Sequence, residues 1–342
     1  MTLIETFGYC INEKIAFEMG LADVGSSAII HIYGAFFGLA VSKILSPKEA
    51  FENKKTEANY ISDYMAMAGT LILWVYWPCF NAVLTEDNSE TQNRVYVNTV
   101  LGLCGSSFIV FICTIHLRNG QAKFNMVDLQ NAALAGGVAI GTSANMNITP
   151  GTAVIIGMLG GLVSNFGYAK LQGWILQNIG IHDVCGILNL HGLPGIIAGI
   201  SGFIITTNAD QSMDSPEVLA QIYPKYNQQY WDASRQSIIQ LSFLLISLFS
   251  SIGLGLMTGT ILKYTGKLQT YFYDDKEYIQ LQEYKYEDLE ELVNKIAELG
   301  NQVQFLNDDE NKENIEMKKI SNKQNITNKE QKKENDIQQL LI

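Results

Sequence analysis

Disulfide scaffolds, metal clusters and nucleotide-driven machines each leave a residue signature, and this sequence carries none of them. Its five cysteines, Cys10, Cys79, Cys104, Cys113 and Cys185, lie inside apolar segments and form no CxxC pair, which argues against a disulfide framework or a metal centre. No nucleotide-binding motif and no nucleophile–base set stands out, so neither a cofactor nor an enzyme is expected. The N-terminus opens with Glu5, Glu13 and Lys14 instead of a basic stretch before an apolar core, and this is not a cleavable signal peptide. Basic charge is also scarce: 23 Lys and Arg stand against 34 Asp and Glu, for a net charge of −11. The acidic excess sits in the tail and a few loops and gives no reason to expect a nucleic-acid partner.

What the chain has instead is long uncharged runs. Eight apolar segments, roughly 2–19, 24–45, 61–84, 95–116, 126–147, 151–172, 185–206 and 236–262, are long enough, or nearly so, to span a bilayer. Glu13 and Lys14 interrupt the first and make it the weakest. Basic residues then fall in every second connection: Lys43, Lys48, Lys54 and Lys55; Arg118 and Lys123; Lys170; Lys263 and Lys267. The alternate connections hold Glu86, Asp87 and Glu90, the short Asn147-Ile148-Thr149, and an acidic loop over 207–235. The positive-inside tendency therefore predicts a polytopic all-α membrane bundle with both ends in the cytoplasm.

One stretch is written twice. Asp23-Val24 precedes His31, and Asp183-Val184 precedes His191, by the same eight residues. Eight helical residues rise about 12 Å, near half of a bilayer's hydrocarbon thickness. The predicted topology runs the two copies in opposite directions, as inverted-repeat transporters do, with the site at the midplane. His31 and His191 are then expected to meet there. A lone histidine in a span is often only a contact between helices, but a matched pair offers shared donors and acceptors with coupled titration. Asp23 and Asp183 fall at span N-termini, where a carboxylate caps free N–H groups; Asp23 could also concentrate cations at the outer mouth. Trp74 and Tyr76 fit an interfacial aromatic belt. Trp77 and Phe80, three apart on a helix face, could form a cation–π surface and an apolar plug. His116 and His182 read as ordinary boundary residues.

After the last span the character of the chain changes. Leu289, Leu292, Ile296, Leu299, Val303 and Leu306 alternate by three and four residues, a short stripe for a coiled coil or for a helix lying on the protein's own cytoplasmic face. Residues 307–342 are Asn/Lys/Glu-rich and expected to be disordered. They end on Asp336 to Leu341, an acidic-dileucine sorting pattern. Three regions result: a transmembrane domain over 1–265, a cytoplasmic helical segment over 266–306 and a disordered cytoplasmic tail over 307–342.

These residues resemble the Rhesus branch of the ammonium transporter family. The resemblance rests on Asp23 to His31 with Gly34-Ala35-Phe36-Phe37-Gly38-Leu39, on Leu73 to Asn81, on Gln130 to Ala139, and on Asp183 to Gly186 with Asn189-Leu190-His191-Gly192-Leu193-Pro194-Gly195. It implies a homotrimer in membrane lipid, with a narrow pore in each subunit. His31 and His191 would be the pore's twin histidines and Phe80 a gating phenylalanine, while Trp77, Asn81, Asp23 and Asp183 would support recruitment. Ammonium would lose a proton on entry and pass as NH3, with methylammonium as a surrogate. Carbon dioxide is the alternative substrate, and a non-conducting ammonium sensor or trimer scaffold the alternative role. The membrane would be the plasma membrane or an endosomal or vacuolar one. Ser26 stands where the family usually has Gly, and Leu188 where Asn is common. The chain also starts at what looks like the fourth span of an eleven-span core, as an N-terminally truncated sequence would.

Overall fold

The computed structural model describes residues 1–266 apart from 52, 54, 55, 57–59, 119–122 and 228, together with Asn294, Lys295 and Glu298. The apolar stripe from Leu289 to Leu306 and the tail over 307–342 lie outside the described residues. The chain divides into two compact units, Met1–Phe272 and Tyr273–Ile342, and every element below belongs to the first.

Among the described residues the fold is helical throughout. The helices are α1 Thr2–Met19, α2 Ser27–Leu45, α3 Tyr60–Asn81, α4 Glu90–Leu117, α5 Met126–Ala132, α6 Ala135–Gly141, α7 Pro150–Ile179, α8 Leu188–Thr207, α9 Pro216–Ile222 and α10 Ala233–Thr265. Five of them, α2, α4, α7, α8 and α10, are long and apolar enough to cross a membrane. The other three expected spans are helical but fall short for visible reasons. Glu5, Glu13, Lys14 and Glu18 charge α1; Trp, Tyr and Pro78 dilute α3; and the fifth is broken at Ala133–Leu134 into α5 and α6.

Helix ends follow local chemistry. The Ser89 hydroxyl accepts from the Gln92 N–H at 3.0 Å, and Thr149 from Thr152 at 3.2 Å with Pro150 in the first turn. Asp232 accepts from the N–H groups of Ser234 and Arg235 to open α10. Such caps satisfy donors that the helix itself leaves free.

The centre is built on small residues. Every residue of α6 is buried, and it lies against α4 and α7 with almost no side chain between. A Cβ on Gly102 would come within 3.1 Å of the Gly136 carbonyl, and one on Gly160 within 2.9 Å of the Ala135 carbonyl. Glycine lets helix backbones approach this closely, and packing of that kind holds helices together where lipid removes the hydrophobic drive.

Three π-helical turns interrupt the regular helices: Ser27–Ile32 opening α2, Gly167–Leu171 inside α7, and Leu188–Gly192 opening α8. A π turn shifts the hydrogen-bond ladder by one residue and leaves carbonyls needing partners. For the first turn α1 and α10 supply them. Asn12 donates to the Ile29 carbonyl at 3.1 Å and Ser247 to the Ala28 carbonyl at 2.8 Å. Just before it, Gln240 pairs with both backbone groups of Ala22, and Gln236 donates to the Gly20 carbonyl.

Candidate functional site

The first and third π turns carry the two histidines. His31 and His191 face each other with Nδ1 atoms 3.1 Å apart, ring centroids 5.0 Å apart and planes inclined by 14°. A hydrogen bond at that distance requires one Nδ1 to carry the proton and the other to accept it, which would put the two neutral rings in opposite tautomers.

α3 delivers the neighbouring aromatics. Trp77 stacks near His31 at 6.0 Å between centroids, and Phe80 lies 5.8 Å from the same ring and 6.0 Å from Trp77. Trp77 is seated against Gly137, where a Cβ would come within 2.5 Å of the indole. Asn81, buried one turn beyond, donates to the Thr99 hydroxyl and the Gly137 carbonyl, both at 3.1 Å. It thereby ties α3 to α4 and α6. Two buried donor-capable atoms in this cluster, His31 Nε2 and Trp77 Nε1, have no protein partner. A chain of contacts thus runs Phe80, Trp77, His31, His191, apolar at one end and carrying unpaired ring nitrogens in the middle.

The aspartates do not reach this cluster. Each turns back onto its own π turn. The Asp23 carboxylate accepts from the N–H groups of Ser27 (2.9 Å), Ala28 (2.8 Å) and Ile29 (3.2 Å), and from the Thr142 hydroxyl (2.7 Å). Asp183 accepts from Ile187 (2.9 Å) and Leu188 (3.0 Å). Both serve as anchors that aim a histidine-bearing turn. The capping expected at span N-termini is therefore what the geometry displays, in π-helical form.

Ser26 has φ 55°, and Gly186, its counterpart in the second copy, has φ 71°. Both copies turn through the left-handed region just before the π turn. His182 packs edge-on against Phe51 at 5.4 Å, and His116 is exposed; neither approaches the pair.

Sequence reading passed over the braces. Thr142, Asn12 and Ser247 secure the first copy. Tyr168, donating to the Gly186 carbonyl at 3.0 Å, and Gln172, bonding both the Asp183 carbonyl and Asn189, secure the second. One signal was available. Gln236, Gln240, Ser247, Ser251 and Thr258 recur along one face of an otherwise apolar α10, and all are buried. Among the described residues no group of three or more His, Cys, Asp or Glu side chains is placed to hold a metal ion.

Known proteins resemble this chain in sequence and in fold. The chain is 39% identical over 265 residues to the ammonium transporter Rh type B of Xenopus tropicalis, and 40% over 267 residues to the Rh type A protein of Bos taurus. Each alignment covers 77% of this chain and 57% of the relative, so the chain spans little more than half the length of these proteins. A solved structure titled for Nitrosomonas europaea Rh50 and the mechanism of conduction by the Rhesus protein family of channels superposes with a TM-score of 0.67. It is 30% identical over 88% of this chain and 72% of that one. Saccharomyces cerevisiae Mep2, 17% identical over 75% of this chain and 56% of that one, has the same fold at a TM-score of 0.55. The family model described as Ammonium Transporter Family matches residues 2–290. The chain belongs to the ammonium transporter family, in its Rhesus branch.

Proposed function

We propose that this chain passes ammonia across a membrane without an energy source, ammonium giving up a proton on entry and NH3 moving past His31 and His191. The observation that carries this reading is the 3.1 Å Nδ1–Nδ1 approach of the two histidines, one from each copy. A charged ammonium ion in a narrow apolar passage loses its hydration at high cost, while a neutral molecule does not. NH3 both donates and accepts hydrogen bonds, as a neutral imidazole does. The unpaired His31 Nε2 offers it a partner in an otherwise apolar stretch. The indole face of Trp77 suits a cation before deprotonation, and Phe80, packed on His31 and Trp77, acts as the apolar plug over the pair. Asp23 and Asp183 act as supports, since their carboxylates are spent on backbone and neighbouring side chains, and Asn81 supports through its amide N–H groups. By the charge of its loops the α2–α3 connection and the C-terminal tail face the cytoplasm. A homotrimer in the plasma membrane or an endosomal or vacuolar membrane is the assembly that goes with this reading.

Methylammonium uptake in cells lacking their own ammonium transporters tests the reading, using the full coding sequence and its His31→Ala and His191→Ala variants. Uptake by the parent and a change of about tenfold or more in either variant, equivalent to about 1.4 kcal/mol on the barrier, is expected. A membrane-resident parent with no uptake would instead favour a sensor or scaffold.

A further inference from the structure

A crevice of about 280 Å³ opens where α1 ends and α10 begins. Its floor is apolar, formed by the half-buried Met19 and Ile239. Its position is that of a membrane boundary. Gly20, with φ 77°, ends α1, and the apolar run of α10 starts only at Ile238, which is 62% exposed. Tyr230 and Trp231, which also line it, are residues that settle at headgroup level. Two cations reach the same crevice, Lys225 and Arg235. Lys225 is fixed in place: its ammonium donates to the Glu18 carbonyl, and its stem lies against Gly20, where a Cβ would come within 2.7 Å of Cγ. The Arg235 guanidinium is not engaged, and among the described residues it has no ion-pair or hydrogen-bond partner; only its backbone N–H is bonded, to Asp232. Asp232 is the one carboxylate in the crevice, and it is occupied as the cap of α10, accepting from the N–H groups of Ser234 and Arg235. Two positive charges therefore stand against one negative charge, above an apolar floor.

We propose that this crevice seats the phosphodiester headgroup of a glycerophospholipid. The Arg235 guanidinium and the Lys225 ammonium share the phosphate oxygens, and the acyl chains pass over Met19 and Ile239 into the bilayer. A guanidinium presents a planar fork of donors that matches phosphate oxygens, while an ammonium acts as a point charge. A diacylglycerol would cover the apolar floor and leave both cations without a counter-charge. A free phosphate ester would meet the cations and leave Met19 and Ile239 bare.

The test is photolabelling of the full chain, delipidated in dodecyl maltoside, with a phosphatidylcholine that carries a diazirine near its glycerol. A diacylglycerol with the same diazirine is the control, and labelled peptides are mapped by mass spectrometry. The phosphatidylcholine should label residues 225–239 about fivefold more than the diacylglycerol, and Arg235→Gln should lower its labelling by a similar factor. Soluble glycerophosphocholine at the same concentration should not displace it. The comparison of the two probes uses the unmodified protein, so it stands even if the variant misfolds. Equal labelling by the two probes would overturn the proposal and leave a non-specific lipid groove. Displacement by glycerophosphocholine would overturn it in favour of a site for soluble phosphate esters, and unchanged labelling of a folded Arg235→Gln variant would overturn the assignment of the phosphate to this crevice.

Discussion

The two copies of the histidine-bearing turn solve one geometric problem in unlike surroundings. The first is enclosed: Val24 is 8% exposed, the Asp23 carboxylate takes four hydrogen bonds, and α1 and α10 satisfy the carbonyls that the π turn frees. The second is open on one side: Val184 is 59% exposed, Cys185 is exposed, and the two side-chain bonds to Asp183 come from its own turn, with braces from α7 and, at the His182 carbonyl, from Ser42 of α2. Symmetry in the sequence therefore does not mean symmetry in stability. The first copy holds its histidine by enclosure, and the second by backbone conformation.

That contrast can be broken by substitution. Asp23→Ala leaves three buried N–H groups and a threonine hydroxyl without an acceptor. At about 1–3 kcal/mol for each unsatisfied group, partial relaxation still leaves a loss of about 3–5 kcal/mol. Asp183→Ala removes a buried carboxylate that accepts two of these bonds against four at Asp23 and should cost about 1–2 kcal/mol. Thermal unfolding of detergent-purified protein measures both, and equal shifts would abolish the distinction. Gly186→Ser falls between these two in size. Its φ of 71° disfavours any side chain, and a Cβ there would overlap the Tyr168 ring, so about 2 kcal/mol or more is expected. The reciprocal change, Ser26→Gly, relieves a serine held at φ 55° and should stabilise by about 1 kcal/mol. Opposite signs for this pair, read in the same unfolding assay, would sharpen the comparison. The smallest effect belongs to Tyr168→Phe, which removes the hydroxyl's bond to the Gly186 carbonyl. It should cost about 1 kcal/mol and raise hydrogen exchange across 183–190 more than across 23–30.

Much of this was legible in advance, and the reasons are physical. Long uncharged runs locate helices because burial in lipid demands them, and each of the eight expected segments is helical. The Asp–Val to His spacing identified the paired turns because an anchor and its histidine sit on one local segment. What stayed hidden depends on contacts distant in sequence or on departures from regular geometry. The bond from Thr142 to Asp23 spans 119 residues, and no local pattern announces it. A π turn has no periodicity of its own, so α2 and α8 read as plain helices. The break between α5 and α6 fell inside a run of small residues that hydropathy counts as one span. Ser26 departs from the Gly usual in the family, but only its left-handed φ shows why the position matters.

Two differently supported turns converge on one shared hydrogen bond between imidazoles. Nitrogen-15 NMR of histidine-labelled protein in membranes tests it directly, in a His116→Gln, His182→Gln background that leaves only His31 and His191. At neutral pH the account predicts one protonated and one unprotonated Nδ1, with a measurable coupling between them that vanishes in His191→Ala. Two identical tautomers without coupling would contradict it.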